Sequence, residues 1–445
     1  MPDLNIDQIV RVAVFGDGEA KAGARRTIHL EARKRGAVSS SIFPLYAAIG
    51  RGEVTRRFTV PAFNIRALTY DSARALFRAA MRHDAGAFIF EIARSEIGYT
   101  EQRPGEYAAC VLAAALREKF EGPVFIQGDH FQASAKKWGT PDGKAAEIKA
   151  LESLIDEAIA AELYNIDIDT STLVDLGFPT RDEQQRANYE GTAHFTRYIR
   201  GREPKGVTVS VGGEIGEVGK YNTQPDEVRA YVEGLRGLLD GATGISKISV
   251  QTGTSHGGVP MADGSIAQAK IDFEVLRETT RICRGEYGIA GSVQHGASTL
   301  PESVFNKFPE SDAVEIHLAT GFQNMILDAP SLPQAMKEEI RDFCFANCTD
   351  ERKAGETDEQ FVYKTRKKAL GPFKRRLWDL PPTAKKPIID ELEAKFELLM
   401  EKLAVYGTKS LVATHVPVAA GALPAYAAAS AALTAAATVD PNEGE

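Results

Sequence analysis

The chain has little cysteine: four residues, Cys110, Cys283, Cys344 and Cys348, among 445. None forms a C-x-x-C pair, and the spacing of Cys344 and Cys348 puts them on one face of a helix. All four are expected as buried or half-buried reduced thiols, a usage that fits a reducing cytoplasm. Basic charge is also short, with a formal net charge of -8. Nothing global therefore points to nucleic acid or to an anionic membrane surface. The start, Met1-Pro2-Asp3-Leu4-Asn5, lacks a basic stretch followed by an apolar core, so no signal peptide is expected and the cytoplasm is the expected location. A long strongly apolar run is missing too. Leu411 to Val439 is uncharged apart from its one histidine, but it is mostly alanine with Pro417 and Pro424 inside, and reads as a low-complexity tail rather than a membrane span.

What is present is a rhythm. Hydrophobic residues make up 43% and charged residues 26% of the chain, as in ordinary soluble globular proteins, and the length exceeds what one compact core needs. From Phe58 onward apolar β-like runs alternate with helical spacing. The runs are Thr59–Ile65, Ala87–Ala93, Val124–Asp129, Asn165–Thr170, Val207–Gly212, Ser246–Gly253, Tyr287–Gln294 and Ala313–Thr320. Helices are expected over Asp71–His83, Gly105–Phe120, Ala145–Ala161, Asp226–Leu239 and Ala267–Ile282, with Pro225 suited to a helix start. Eight such units predict an α/β fold, a closed (β/α)8 TIM barrel of parallel strands with right-handed crossovers. An open doubly wound sheet is the alternative; no G-x-G-x-x-G follows the first strand, which weakens a dinucleotide-binding reading.

The expected organisation is an N-terminal extension over 1–55, the barrel over 56–328, a charged helical C-terminal extension over 329–410 and the alanine-rich tail over 411–445. Within the third part lies a basic run, Lys364, Arg366, Lys367, Lys368, Lys374, Arg375 and Arg376. It reads first as a solvated helix face, and second as a phosphate or subunit contact.

A barrel carries its chemistry at the C-terminal ends of its strands. Asp129 and His130 end the third run, Asp169 ends the fourth, Glu214 follows the fifth, His256 follows the sixth and His295 ends the seventh. Three histidines on one rim suggest a catalytic metal site with open positions. Asp129 serves either to orient His130 or as a general acid/base beside the metal. Asp169 and Glu214 are alternative ligands or solvated loop carboxylates. Glycines near the histidines, Gly253, Gly257, Gly258 and Gly296, with Ser298, offer backbone N–H groups to an anion such as phosphate. His29, His83, His194 and His415 need no role, while His317 lies inside the eighth run and faces either the lumen or the helices.

Taken together, these residues resemble the class II, metal-dependent fructose- and tagatose-bisphosphate aldolases over about residues 58–327. The resemblance rests on Val60-Pro61-Ala62-Phe63-Asn64, Gly128-Asp129-His130, Ile168-Asp169-Thr170-Ser171, Gly213-Glu214-Ile215-Gly216, Gly253-Thr254-Ser255-His256-Gly257 and His295-Gly296-Ala297-Ser298. It implies Zn2+ on His130, His256 and His295, polarising the carbonyl of dihydroxyacetone phosphate. It further implies Asp129 as the acid/base, phosphate bound around Gly257, Gly296 and Ser298, and Glu214 and Asp169 as places for a displaced or second divalent metal. Asn64, His317 and Thr320 fall at substrate-binding positions. A phosphorylated sugar is the implied partner, in a homo-oligomer.

Departures touch recognition of the substrate. His317-Leu318-Ala319-Thr320-Gly321 lacks the asparagine and final acid of the family's strand-eight pattern, Gly258-Val259-Pro260 replaces a Y-K pair, and Ala93 stands where a serine is usual, with Ser95 close by. Glu217 is the near candidate for a mobile-loop glutamate. The expected activity is aldol cleavage or condensation of a phosphorylated ketose. The alternatives are a noncatalytic, regulatory aldolase-like subunit and a metal-dependent sugar-phosphate isomerase or epimerase.

Overall fold

The computed structural model describes residues 5–216, 221–253 and 271–418. The expectations for His256, Gly257, Gly258, Glu217 and the alanine-rich tail from residue 419 on therefore lie outside the described residues, while the tail's expected start at 411 falls inside the helix Lys409–His415, with Val412 buried. Among the described residues nine strands are present: β1 (Ala37–Ser40), β2 (Val60–Asn64), β3 (Ile89–Ala93), β4 (Gly122–Gln132), β5 (Asn165–Asp169), β6 (Ser210–Glu214), β7 (Lys247–Ser249), β8 (Ser292–Gln294) and β9 (Glu315–Leu318). Strands β2 to β9 are parallel neighbours in sequence order. Pairing of β2 with β9 (Ala62 opposite His317) completes the ring, so the barrel is closed. Each expected run overlaps one of the eight strands β2 to β9. The fifth is displaced: it starts at Ser210 and reaches Glu214, which thus belongs to the strand rather than following it. The third continues past Asp129 to Gln132.

Helices cover the outside. Those at Pro104–Glu118, Pro141–Ala160 and Pro225–Leu239 each open on a proline, whose missing N–H costs nothing at that position. Strand alternation directs Phe63 outward against Phe322 and Phe396, with ring centroids 5.8 and 5.2 Å away. Among the described residues, no helix is long and apolar enough to cross a membrane.

Strand β1 has no counterpart among the expected runs. It pairs with the lower part of β4, Ala37 opposite Gly122 through Ser40 opposite Phe125, while β5 joins β4 from Gln127 onward. The Asn165 side chain ties the junction: it accepts from Ile42 N–H at 2.8 Å and donates to the carbonyls of Ser40 (3.2 Å) and Ile126 (3.0 Å). The N-terminal helices Ile6–Phe15 and Gly18–Lys34 pack on Pro104–Glu118, and the C-terminal helix Pro382–Lys402 packs on Thr69–Arg82. The basic run is largely satisfied inside the chain. Lys364 pairs with Glu356, Arg366 with Asp328, Lys368 with Glu351, Lys374 with Glu106 and Arg376 with Glu339. All four cysteines are buried free thiols.

Candidate metal centre

Two consecutive residues of a flat strand face opposite ways, yet Asp129 and His130 both serve the barrel mouth. The backbone shows how. The β4–β5 register shifts between Gly128 and Phe131, a bulge that spends one extra residue, and His130 takes φ +40°. Gly128 permits it: a Cβ there would lie 2.5 Å from the Phe131 ring. The carboxylate of Asp129 accepts the His130 backbone N–H at 2.8 Å and so caps the kink.

This fold brings His130 and His295 together. His130 Nε2 lies 2.8 Å from His295 Nδ1, and the rings meet edge to face at 4.4 Å. On its other side, His130 Nδ1 stands 3.2 Å from Asp169 and 3.3 Å from Glu214. Nε2 of His295 meets the Ser249 hydroxyl at 2.9 Å, which fixes its ring. Asp169 is itself held by the Ser171 hydroxyl (2.6 Å) and the Gln132 amide (2.5 Å). Ligand atoms of Asp129, His130 and His295 lie within 4.8 Å of one another, as do those of His130, Asp169 and Glu214. Imidazole nitrogens combined with carboxylates are a donor set suited to zinc and similar divalent ions.

Electrostatics separate the carboxylates. Burial alone would raise Asp129, but the His130, His317 and His295 rings beside it hold it well below the usual carboxylate range. Burial, reinforced by the charge of Asp169 and opposed by His130, pushes Glu214 up to about 7.

The remaining expected residues divide. Gly296 has φ +66°, a conformation that favours glycine, in the loop after β8. Ser298 Oγ accepts from Gly321 N–H at 3.1 Å and links the loops after β8 and β9, where barrels commonly bind phosphate. Thr320 is reached by Arg66 at 3.4 Å, and Arg66 also pairs with Glu96 at 2.7 Å. Asn64 donates to Glu96 at 2.7 Å, and its buried Oδ1 has no hydrogen-bond partner among the described residues. His317 lies directly beneath the mouth, its ring stacked on His295 at 4.1 Å. It points into the lumen, buried between Glu91 (3.0 Å), Asp129 (3.3 Å) and Glu315 (2.7 Å).

The lumen also holds residues not anticipated from sequence: Glu91, Gln127, Asp167, Lys247 and Glu315, all buried. A signal existed. Glu91 interrupts Phe90 and Ile92, Asp167 interrupts Ile166 and Ile168, and Glu315 and His317 flank Ile316. Charged residues at alternate positions of an apolar strand mark an inward polar face.

A closed parallel barrel with imidazoles and carboxylates gathered at its C-terminal mouth is the general architecture of metal-assisted barrel enzymes. The family model described as "Fructose-bisphosphate aldolase class-II" matches residues 53–380, and the chain belongs to that family. No curated protein matches it. Among solved structures, it is similar to fructuronate-tagaturonate epimerase UxaE from Cohnella laeviribosi, with 11% identity over 78% of this chain and 81% of that one and a TM-score of 0.56. A structure described as a probable tagatose 6 phosphate kinase from Sinorhizobium meliloti 1021 shares 17% identity over 84% of this chain and 98% of that one, with a TM-score of 0.52. Fructose-bisphosphate aldolase from Campylobacter jejuni shares 17% identity over 84% and 96%, with a TM-score of 0.47.

Proposed function

We propose that the protein is a metal-dependent aldolase that cleaves or condenses a phosphorylated ketose. The observation that carries this reading is the grouping of Asp129, His130 and His295 at the barrel mouth, within reach of one ion. His130 and His295 would hold zinc, with His256 as the third ligand and Asp169 and Glu214 flanking His130 for a displaced or second divalent ion. When bound, such an ion supplies Lewis-acid polarisation of a carbonyl. Asp129, held ionised, takes up and returns the proton of the hydroxyl on the carbon where the C–C bond breaks. Gly296 and Ser298, with Gly257, receive the phosphate, and Thr320 borders that loop pair. The buried, unpartnered Oδ1 of Asn64 is an acceptor available to a substrate hydroxyl.

The test is zinc analysis of the purified protein, followed by a panel of ketose mono- and bisphosphates, with His256→Ala and His295→Ala as controls. Stoichiometric zinc, lost in both variants, together with retro-aldol products supports the reading. A wild-type protein that retains no added zinc would overturn it. Interconversion of sugars without cleavage would indicate the isomerase or epimerase alternative. Bound zinc with no turnover of any ketose phosphate would indicate a noncatalytic subunit.

A further inference from the structure

Barrel lumens are ordinarily filled by branched aliphatic side chains. Beneath this barrel's mouth the filling is charged. Burying ions costs several kcal/mol each unless geometry and hydrogen bonds are very good, so the arrangement needs an account.

Lys247 is 1% exposed. Its ammonium lies 2.9 Å from Asp167, donates to the Gln127 amide oxygen at 2.8 Å and makes an ion pair with Glu315. Gly212 makes room for this: a Cβ there would fall on the Asp167 carboxylate and 2.9 Å from Lys247 Cε. Glu315 is held through both of its oxygens. Its Oε1 accepts from Lys247, from Gln127 Nε2 (3.1 Å) and from His317 Nε2 (2.7 Å), and its Oε2 accepts from the Tyr46 hydroxyl. A carboxylate held through both oxygens resists rotation, so Glu315 fixes the donor direction of His317 Nε2. The His317 ring is fixed a second time by stacking on His295, at 4.1 Å and 22°. Its Nδ1 then stands between Glu91 and Asp129. Asp129 accepts the His130 N–H from the bulge and has the His317 ring below it, with Nδ1 at ion-pair distance, 3.3 Å from its carboxylate.

We propose that Lys247, Glu315 and His317 form a strut of positioning residues that holds Asp129 in its working orientation. This rests on the acid/base role proposed above for Asp129. Lys247 acts by balancing Glu315, Glu315 by locking the His317 ring, and His317 by bracing the Asp129 carboxylate; none of the three touches substrate. It is the logic by which outer groups orient the residues that react.

The experiment uses zinc-loaded full-length protein. Lys247→Met combined with Glu315→Leu removes one charge of each sign at similar volume, and Asp167, which loses Lys247, keeps His317 at 3.7 Å. The strut account expects the double variant to fold and keep its zinc, with KM within about threefold and kcat lower by about 10- to 100-fold. A kcat within about threefold of wild type would overturn it. His317→Asn, too short to span Glu315 and Asp129, is expected to show the same split if the double variant does not fold; unchanged kcat there overturns the account as well. An activity-free readout separates failure of the strut from failure of the aldolase reading. In 15N–1H spectra of the wild-type holoprotein the Nε2–H of His317, donated to Glu315, is expected to be protected from exchange. A wild type that cleaves no ketose phosphate but shows this signal loses the aldolase reading and keeps the clamped ring. Absence of the signal sinks the strut.

Discussion

Glu91 sits in the barrel lumen with a proton it would not hold in water. Burial, against the pull of His317 and with the push of Asp129, raises it from an ordinary 4.5 to about 8. The folded state thus binds this proton where the unfolded chain has released it. Glu91's contribution to stability is complete below pH 4.5 and falls as pH rises through about 8. Glu91→Gln keeps the neutral shape and lacks the titration. Its stability relative to wild type is expected to rise by on the order of 1 kcal/mol per pH unit between about pH 5 and 8, as read by urea unfolding across that range. A pH-independent difference would place the Glu91 proton elsewhere. Gly212 gives a second check at this scale. Gly212→Ala drives a methyl group into the Asp167–Lys247 contact, and a loss of about 1–3 kcal/mol is expected from overpacking in the same assay.

At the scale of elements, the eight barrel strands were legible because each is a compact apolar run closed by polar or small residues. Strand β1 was not: Ala37-Val38-Ser39-Ser40 has neither the length nor the alternation of a strand, and it exists because β4 offers an unpaired lower edge. The bulge in β4 was half legible. Gly128-Asp129-His130 marked the place, but the register shift depends on the Phe131 ring filling the space over Gly128, a tertiary contact. The lumen charges were visible as letters and unreadable as a network, since five strands contribute and no local pattern joins them. The junction of β1 is testable. Asn165→Leu leaves the Ile42 N–H and the carbonyls of Ser40 and Ile126 without that partner. A loss on the order of 3 kcal/mol is expected, from groups worth about 1–3 kcal/mol each when buried unpaired. Faster hydrogen exchange at Ile42 should accompany it, and unchanged exchange there would show that β1 is held by other contacts.

Across the whole molecule, membership of the class II fructose-bisphosphate aldolase family and the closed barrel agree, and the mouth and lumen divide the work. The mouth gathers donors suited to a metal, His130, His295, Asp169 and Glu214, whereas the lumen pairs its charges with one another through Lys247, Glu315 and His317. The division follows from strand alternation acting at two depths of one barrel: Asp129 and Asp169 above, Gln127 and Asp167 below. The central claim is that the metal sits at the mouth on His130 and His295. Anomalous diffraction at the zinc edge from zinc-loaded crystals tests it most directly. The account expects one strong peak bonded to the ring nitrogens of both histidines and reduced to background in His295→Ala crystals. Zinc-loaded crystals with no peak at this pair, or with the metal held in the lumen by Glu91, Asp167 or Glu315 instead, would contradict it.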